Sequence, residues 1–143
     1  MPLVPRRGLL AIASVVEIAI GATNRPLSAK VLAERYRLAP RHLEPILQNL
    51  VHVGILKGVR GPRGGYEMGR TPADIRLNEV LDAALGPGAD APVPFKESAL
   101  IASIVMPALA DAEAALSRTL AGVTVEDLVT HAKNSGIAKE LGL

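Results

Sequence analysis

The sequence predicts a mainly α fold with a small β-hairpin: a winged helix-turn-helix followed by a long helix suited to dimerisation. Three observations carry that prediction. The apolar residues Leu43, Ile46, Leu47 and Leu50 recur at the i, i+3, i+4, i+7 spacing of a one-sided helix. Just before them, a shorter helical segment is separated by the tight turn Arg37-Leu38-Ala39. Just after them, the apolar run Ile55-Leu56-Lys57-Gly58-Val59 leads through Arg60-Gly61-Pro62-Arg63-Gly64-Gly65 into Tyr66-Glu67-Met68, which is strand, glycine-rich turn, strand.

In chain order, the first helix is expected over residues 7–22. Leu9, Ile12, Ala13, Val16 and Ile20 form its stripe, and Asn24-Arg25-Pro26 breaks it. Ser28 is the expected N-cap of a second helix over 29–36, because its hydroxyl can accept from a free backbone N–H. Val31, Leu32 and Tyr36 would face inward. The third helix is expected over 40–53, closed by Gly54. Pro45 is discordant within it, since a proline leaves the carbonyl four residues earlier without a helical partner. Either regular helix begins nearer His42 or the helix bends. A fourth helix over 77–85 turns Val80, Leu81, Ala84 and Leu85 inward. The Pro/Gly-rich stretch from 86 must be a loop. A long helix over 96–121 follows, with Pro107 as an expected kink. Thr124 and Asp127 form a capping box for a short helix over 125–133, and the tail beyond His131 is expected to fray.

Composition narrows the function. The formal net charge of +2 conceals an asymmetry. Residues 1–70 hold eleven cationic and four anionic side chains, a net of +7; residues 71–143 hold five and ten, a net of −5. A localised positive field is the footprint of phosphate binding. With two Tyr, one Phe and no Trp, the chain lacks the aromatic platforms on which single-strand binders stack bases. With no cysteine, thiolate metal sites and cysteine-ligated clusters are excluded, and a cytoplasmic location fits. Arg6-Arg7 and the apolar run behind them resemble a signal peptide, but Glu17 sits inside that run. No run reaches membrane-spanning length. The glycine-rich turn lacks the Gly-Lys-Ser/Thr ending of a nucleotide loop, and no catalytic set or metal-ligand spacing is visible. No cofactor is expected, and an enzyme is the weakest reading.

The expected polar face of the third helix carries Arg41, His42, Glu44, Gln48, Asn49 and His52, side chains of the kinds that read base edges in a major groove. On the long helix, Ile101, Ile104, Val105, Ala108, Leu109, Ala112, Leu116 and Leu120 form a stripe. The first four helices already fill a core, so that stripe is expected to pair with its copy in a homodimer. Two recognition helices related by a two-fold axis would read an inverted-repeat operator on double-stranded DNA.

The segments Ser28–Arg35, Pro40–Leu50 and Gly54–Tyr66, continued by Thr71–Val80, resemble the IscR/NsrR-type family of bacterial winged-helix regulators, the Rrf-two family. The resemblance is dense over residues 8–85 and looser through the long helix. It implies a homodimeric transcription factor, usually a repressor, whose third helix enters the major groove while its wing touches the minor groove. It places Arg41, His42, Glu44 and Gln48 at the groove and Arg60, Arg63 and Gly64 in the wing. Ser28 would add a phosphate contact at the start of the second helix, and Tyr66 would pack at the base of the wing. Many members hold an iron–sulfur cluster on three cysteines before the dimerisation helix; here that stretch has none. Pro45 stands where a polar residue is expected. The organisation expected is a DNA-binding domain over 1–85, a flexible loop over 86–95, and a dimerisation helix with a short C-terminal helix over 96–143. The rival reading is a protein–protein interaction module on the same scaffold, regulated by a protein partner or a small-molecule effector.

Overall fold

The computed structural model describes residues 4–21, 25–86 and 98–140. The order is α1 (Arg6–Ile20), α2 (Ala29–Arg35), α3 (Pro40–His52), β1 (Leu56–Val59), β2 (Gly65–Met68), a 3-10 turn (Pro72–Asp74), α4 (Leu77–Leu85), a π turn (Ile101–Val105), α5 (Met106–Leu120), α6 (Val125–Asn134) and α7 (Ile137–Glu140). Asn24, most of the expected 86–95 loop and the expected start of the long helix lie outside the described residues.

The core gathers around α1, whose inner face is buried. Ala11, Val15 and Ile18 point into the centre with Leu32, Leu43, Leu47, Leu50, Ile55 and Val80. The stripe expected from the sequence is largely a second face: Ile20 is buried, Ile12, Ala13 and Val16 are half-buried, and Leu9 stands exposed, alongside Leu128, Ala132 and Ile137. A helix apolar on most sides belongs inside a bundle, and a single stripe undercounts its contacts. On α2 the buried pair is Leu32 and Ala33, while Val31 stands exposed, against expectation. A seven-residue helix offers only one narrow contact line, and Leu32, Ala33 and half-buried Tyr36 occupy it.

Helix ends follow side-chain chemistry. Ser28 Oγ accepts from the Val31 N–H at 3.1 Å. At the other end of α2, Leu38 N–H reaches Ala33 O at 2.9 Å and Arg37 N–H reaches Glu34 O at 3.2 Å, a Schellman closure. Arg37 therefore holds φ at +56°. The same closure ends α3, but there the left-handed residue is Gly54, with φ of +83°. Helix α3 begins at Pro40 with Pro45 inside it, so the first of the two alternatives, a start nearer His42, does not occur.

Strands β1 and β2 pair antiparallel with Leu56 opposite Met68 and Gly58 opposite Tyr66. The hairpin is anchored to the helices on its far side. Leu27 N–H donates to Tyr66 O at 3.0 Å and Tyr66 N–H to Leu27 O at 2.7 Å. Behind the hairpin, Arg70 bridges Glu79 at 2.7 Å and the carbonyl of Asp74 at 2.8 Å, tying this turn to α4.

The long helix carries a π turn rather than regular α structure before Pro107: Met106 N–H donates to Ile101 O, five residues back. Pro107 has no N–H for the carbonyl of Ser103, and a widened turn is one way to accommodate that gap. The C-terminal region departs from expectation. The capping box of Thr124 and Asp127 forms, with bonds of 3.1 and 2.9 Å, but beyond His131 the described residues continue as helix to Asn134 and, after a turn, as α7 to Glu140. Val125, Val129 and Ala138 are buried against the core. Leu77 N–H to Val123 O and Val125 N–H to Ile75 O, both 2.9 Å, staple α6 to the start of α4.

Candidate nucleic-acid interface

The third helix turns its buried stripe, Leu43, Ile46, Leu47 and Leu50, against the core. That packing sets the outward direction of the remaining residues. Arg41, His42, Glu44 and Gln48 are all exposed, as are Arg60 and Arg63 at the hairpin tip. Ser28 lies half-buried at the start of α2, its oxygen accepting from Val31 while its hydroxyl hydrogen remains free to donate. A Cβ at Gly64 would collide with the carbonyl oxygens of Val59 and Gly61, so only glycine lets the hairpin turn this tightly.

Two relationships add to the sequence reading. Gln48 Nε2–H donates to Tyr66 Oη at 3.0 Å. Tyr66 therefore does more than pack: its backbone holds Leu27, just before α2, and its side chain holds α3. Gln48 keeps its amide oxygen as an outward acceptor. Secondly, a cleft of about 370 Å³ between the approach to α2 and the wing is lined by Arg25, Ser28, Val31, Arg35, Arg63 and Gly64, among others. In sequence Arg25 marks only a helix breaker, and Arg35 only a helical position. The excess of cations in the first half of the chain is the signal for both. Arg35 is partly neutralised, with Nη1 lying 3.3 Å from Oε2 of buried Glu17.

On the long helix, Ile104, Val105, Ala108, Leu109 and Ala112 are exposed, with Ile104 62% and Leu109 57% accessible, while Ile101 and Leu116 are half-buried. Among the described residues no group of three His, Asp or Glu side chains could hold a metal ion. No helix among them is long and apolar enough to cross a membrane.

Comparison with known proteins agrees with this geometry. The family model Rrf2, described as an iron-dependent transcriptional regulator, matches residues 4–131. An HTH-type transcriptional regulator of Azotobacter vinelandii, ORF2, is 34% identical over 77 residues, 54% of this chain and 47% of its own length. The HTH-type transcriptional regulator IscR of Aliivibrio salmonicida is 30% identical over 77 residues, 54% of this chain and 46% of its own. The matched stretch thus spans about half the length of these curated relatives. Among solved structures, IscR of T. potens superposes with a TM-score of 0.72 at 23% identity, covering 94% of this chain and 90% of that one. CymR (YrzC), the global cysteine regulator of B. subtilis, superposes with a TM-score of 0.68 at 24% identity, covering 92% and 98%. These likenesses establish the winged-helix fold, and the match over residues 4–131 establishes the lineage: the chain belongs to the Rrf2 family of transcriptional regulators, a family of regulators and not of enzymes.

Proposed function

We propose that this protein is a homodimeric, sequence-specific repressor that binds double-stranded DNA without an iron–sulfur cluster. The observation that carries the reading is the shared surface of α3 and the wing, where Arg41, His42, Glu44 and Gln48 stand exposed beside a hairpin tipped by Arg60 and Arg63. Helix α3 enters the major groove. Arg41 and Gln48 have the hydrogen-bonding groups to read purine edges, and Glu44 can accept from a cytosine amino group. The wing arginines follow the adjacent minor groove, and Ser28 donates to a phosphate. Residues 1–85 form the reading head, and 96–143 carry the dimer helix.

The apolar face of the long helix supports the homodimer. Leu100, Ile104, Val105, Met106 and Leu109 are exposed, and burying such a row against its copy would spare it from water. The absence of cysteine supports the cluster-free reading, because the chain has no thiolate to offer an iron. Regulation then falls to a protein partner or a small molecule. The same exposed face favours one rival, a module that docks another protein through α5.

The test is duplex binding at several salt concentrations. Replacing Arg60 or Arg63 by Ala should weaken binding to all duplexes and lower the salt slope by about one for each phosphate left without its guanidinium. Binding that ignores salt would overturn the interface assignment.

A further inference from the structure

A second basic cleft, of about 440 Å³, opens between the first turns of α3 and the start of α1. Its lining divides in two. Leu10, Leu38, Pro45 and Ile46 supply an apolar floor, and Arg6, Arg7 and Arg41 supply a cationic rim beside His42, with no carboxylate among the lining residues. Arg6 and Arg41 are exposed, and neither has an ion-pair partner among the described residues. Pro45, exposed within α3, lines the cleft with a ring that carries no polar atom.

The geometry points to a binding site for a small amphipathic anion: a carboxylate, sulfonate or phosphate monoester on an apolar body. Small-molecule sites are concave and mostly apolar, with a few convergent polar groups that fix orientation, and they run from about 300 to 1,000 Å³. The DNA backbone would satisfy the guanidiniums but has no apolar body to cover half-buried Leu10 and Leu38 and exposed Pro45. A free amphiphile satisfies both, placing its head group between Arg6 and Arg41 and its tail on the floor. Charge-assisted hydrogen bonds to guanidinium are the strong ones, and bidentate geometry adds selectivity for planar anions.

The position of the site gives it a consequence. Arg41 and His42 belong to the surface proposed for the groove, so an occupied cleft withdraws them from DNA. Ligand and operator then oppose each other, and by linkage each weakens the other by the same factor. This antagonism rests on the DNA-binding reading; the binding of the anion does not.

Calorimetry and methyl NMR on the full chain test the site, with octanoate as probe and octanamide and inorganic phosphate as controls. Octanoate should saturate the protein, shift the methyl resonances of Leu10, Leu38 and Ile46, and bind about tenfold or more tighter than octanamide, the discrimination expected of hydrogen bonds to a charged group. Arg6→Glu, an exposed substitution, should remove that preference. Octanamide binding as tightly, shifts confined to the exposed face of α5, or no saturation would overturn the proposal. Phosphate binding as tightly as octanoate would also overturn it, making the cleft a plain phosphate seat. In a duplex titration, octanoate should lower DNA affinity for the wild type and not for Arg6→Glu. Unchanged wild-type affinity with octanoate bound would overturn the antagonism. Failure to bind any duplex would overturn the DNA reading while leaving the NMR result to judge the cleft.

Discussion

The Tyr36 hydroxyl, at the end of α2, donates a 2.9 Å hydrogen bond to Oε1 of Glu17, a carboxylate 6% exposed on α1. Arg35 Nη1 stands 3.3 Å from Oε2, an ion pair whose angle does not make a hydrogen bond. These contacts fasten the helix-turn-helix to the central helix, so the orientation of α3 depends on them at one remove. Burial pushes the Glu17 carboxyl above its ordinary value, against the opposing pulls of Tyr36 and Arg35. Burial, together with the adjacent carboxylate, raises the Tyr36 phenol as well.

Tyr36→Phe should destabilise the fold by about 1–3 kcal/mol, because it leaves a buried carboxylate oxygen without its donor. Denaturant unfolding measures the loss. A loss under a few tenths of a kcal/mol would show that water replaces the hydroxyl.

Glu17 also predicts a pH dependence. Its folded pKa lies above the unfolded one, so its contribution is fully present below the unfolded value near 4.5 and is lost as pH rises through the folded value. Glu17→Gln mimics the protonated form. It should be more stable than wild type at pH 7, and that advantage should shrink as pH falls to 4. An advantage that grows toward acid would contradict the assigned direction.

Arg37 takes the left-handed conformation that Gly54 takes at the equivalent place after α3. A residue with a Cβ gives up roughly 1 kcal/mol there. Arg37→Gly should therefore raise stability by up to about that amount, less the entropy glycine adds to the unfolded chain. Thermal unfolding reads it directly, and a lower midpoint would mean that the arginine side chain makes a contact worth more than the strain.

Tyr66→Phe removes the acceptor for the Gln48 amide while keeping the ring and the backbone bonds to Leu27. Gln48 is then free to turn. Binding-site selection should show relaxed preference at the base pair that Gln48 is proposed to read, by about 1–3 kcal/mol at most, with an unchanged salt slope. Equal loss on specific and random duplexes would assign Tyr66 to the stability of the wing alone.

Ile104→Glu combined with Leu109→Glu should yield a folded monomer. Both residues are exposed in the single chain, so the core is untouched while the proposed dimer face acquires repelling charges. Sedimentation should report a dimer for the wild type and a monomer for the variant, with unaltered helix content. A wild-type monomer would shift the face of α5 to a different partner.

The parts legible in the sequence are those with a local signature. The stripe of α3 is strictly periodic, and all four of its predicted residues are buried. Ser28, Gly54 and the Thr124–Asp127 box act within a few residues of themselves, and each forms as read. What the sequence hides depends on distance along the chain. Gln48 meets Tyr66 eighteen residues away, and neither residue type announces a partner. Beyond His131, Ala138 of α7 joins the core, a contact that a tail with few apolar residues does not advertise. The basic cleft of Arg6, Arg7, Arg41 and His42 unites two helix starts, and in sequence Arg6-Arg7 resembles the head of a targeting signal.

The most direct measurement is selection of the purified protein on randomised duplexes at physiological salt. The account predicts enrichment of an inverted repeat whose half-sites are spaced by one or more helical turns, as two α3 helices about a two-fold axis require. Strong binding with no enriched sequence, or no duplex binding at all, would contradict it.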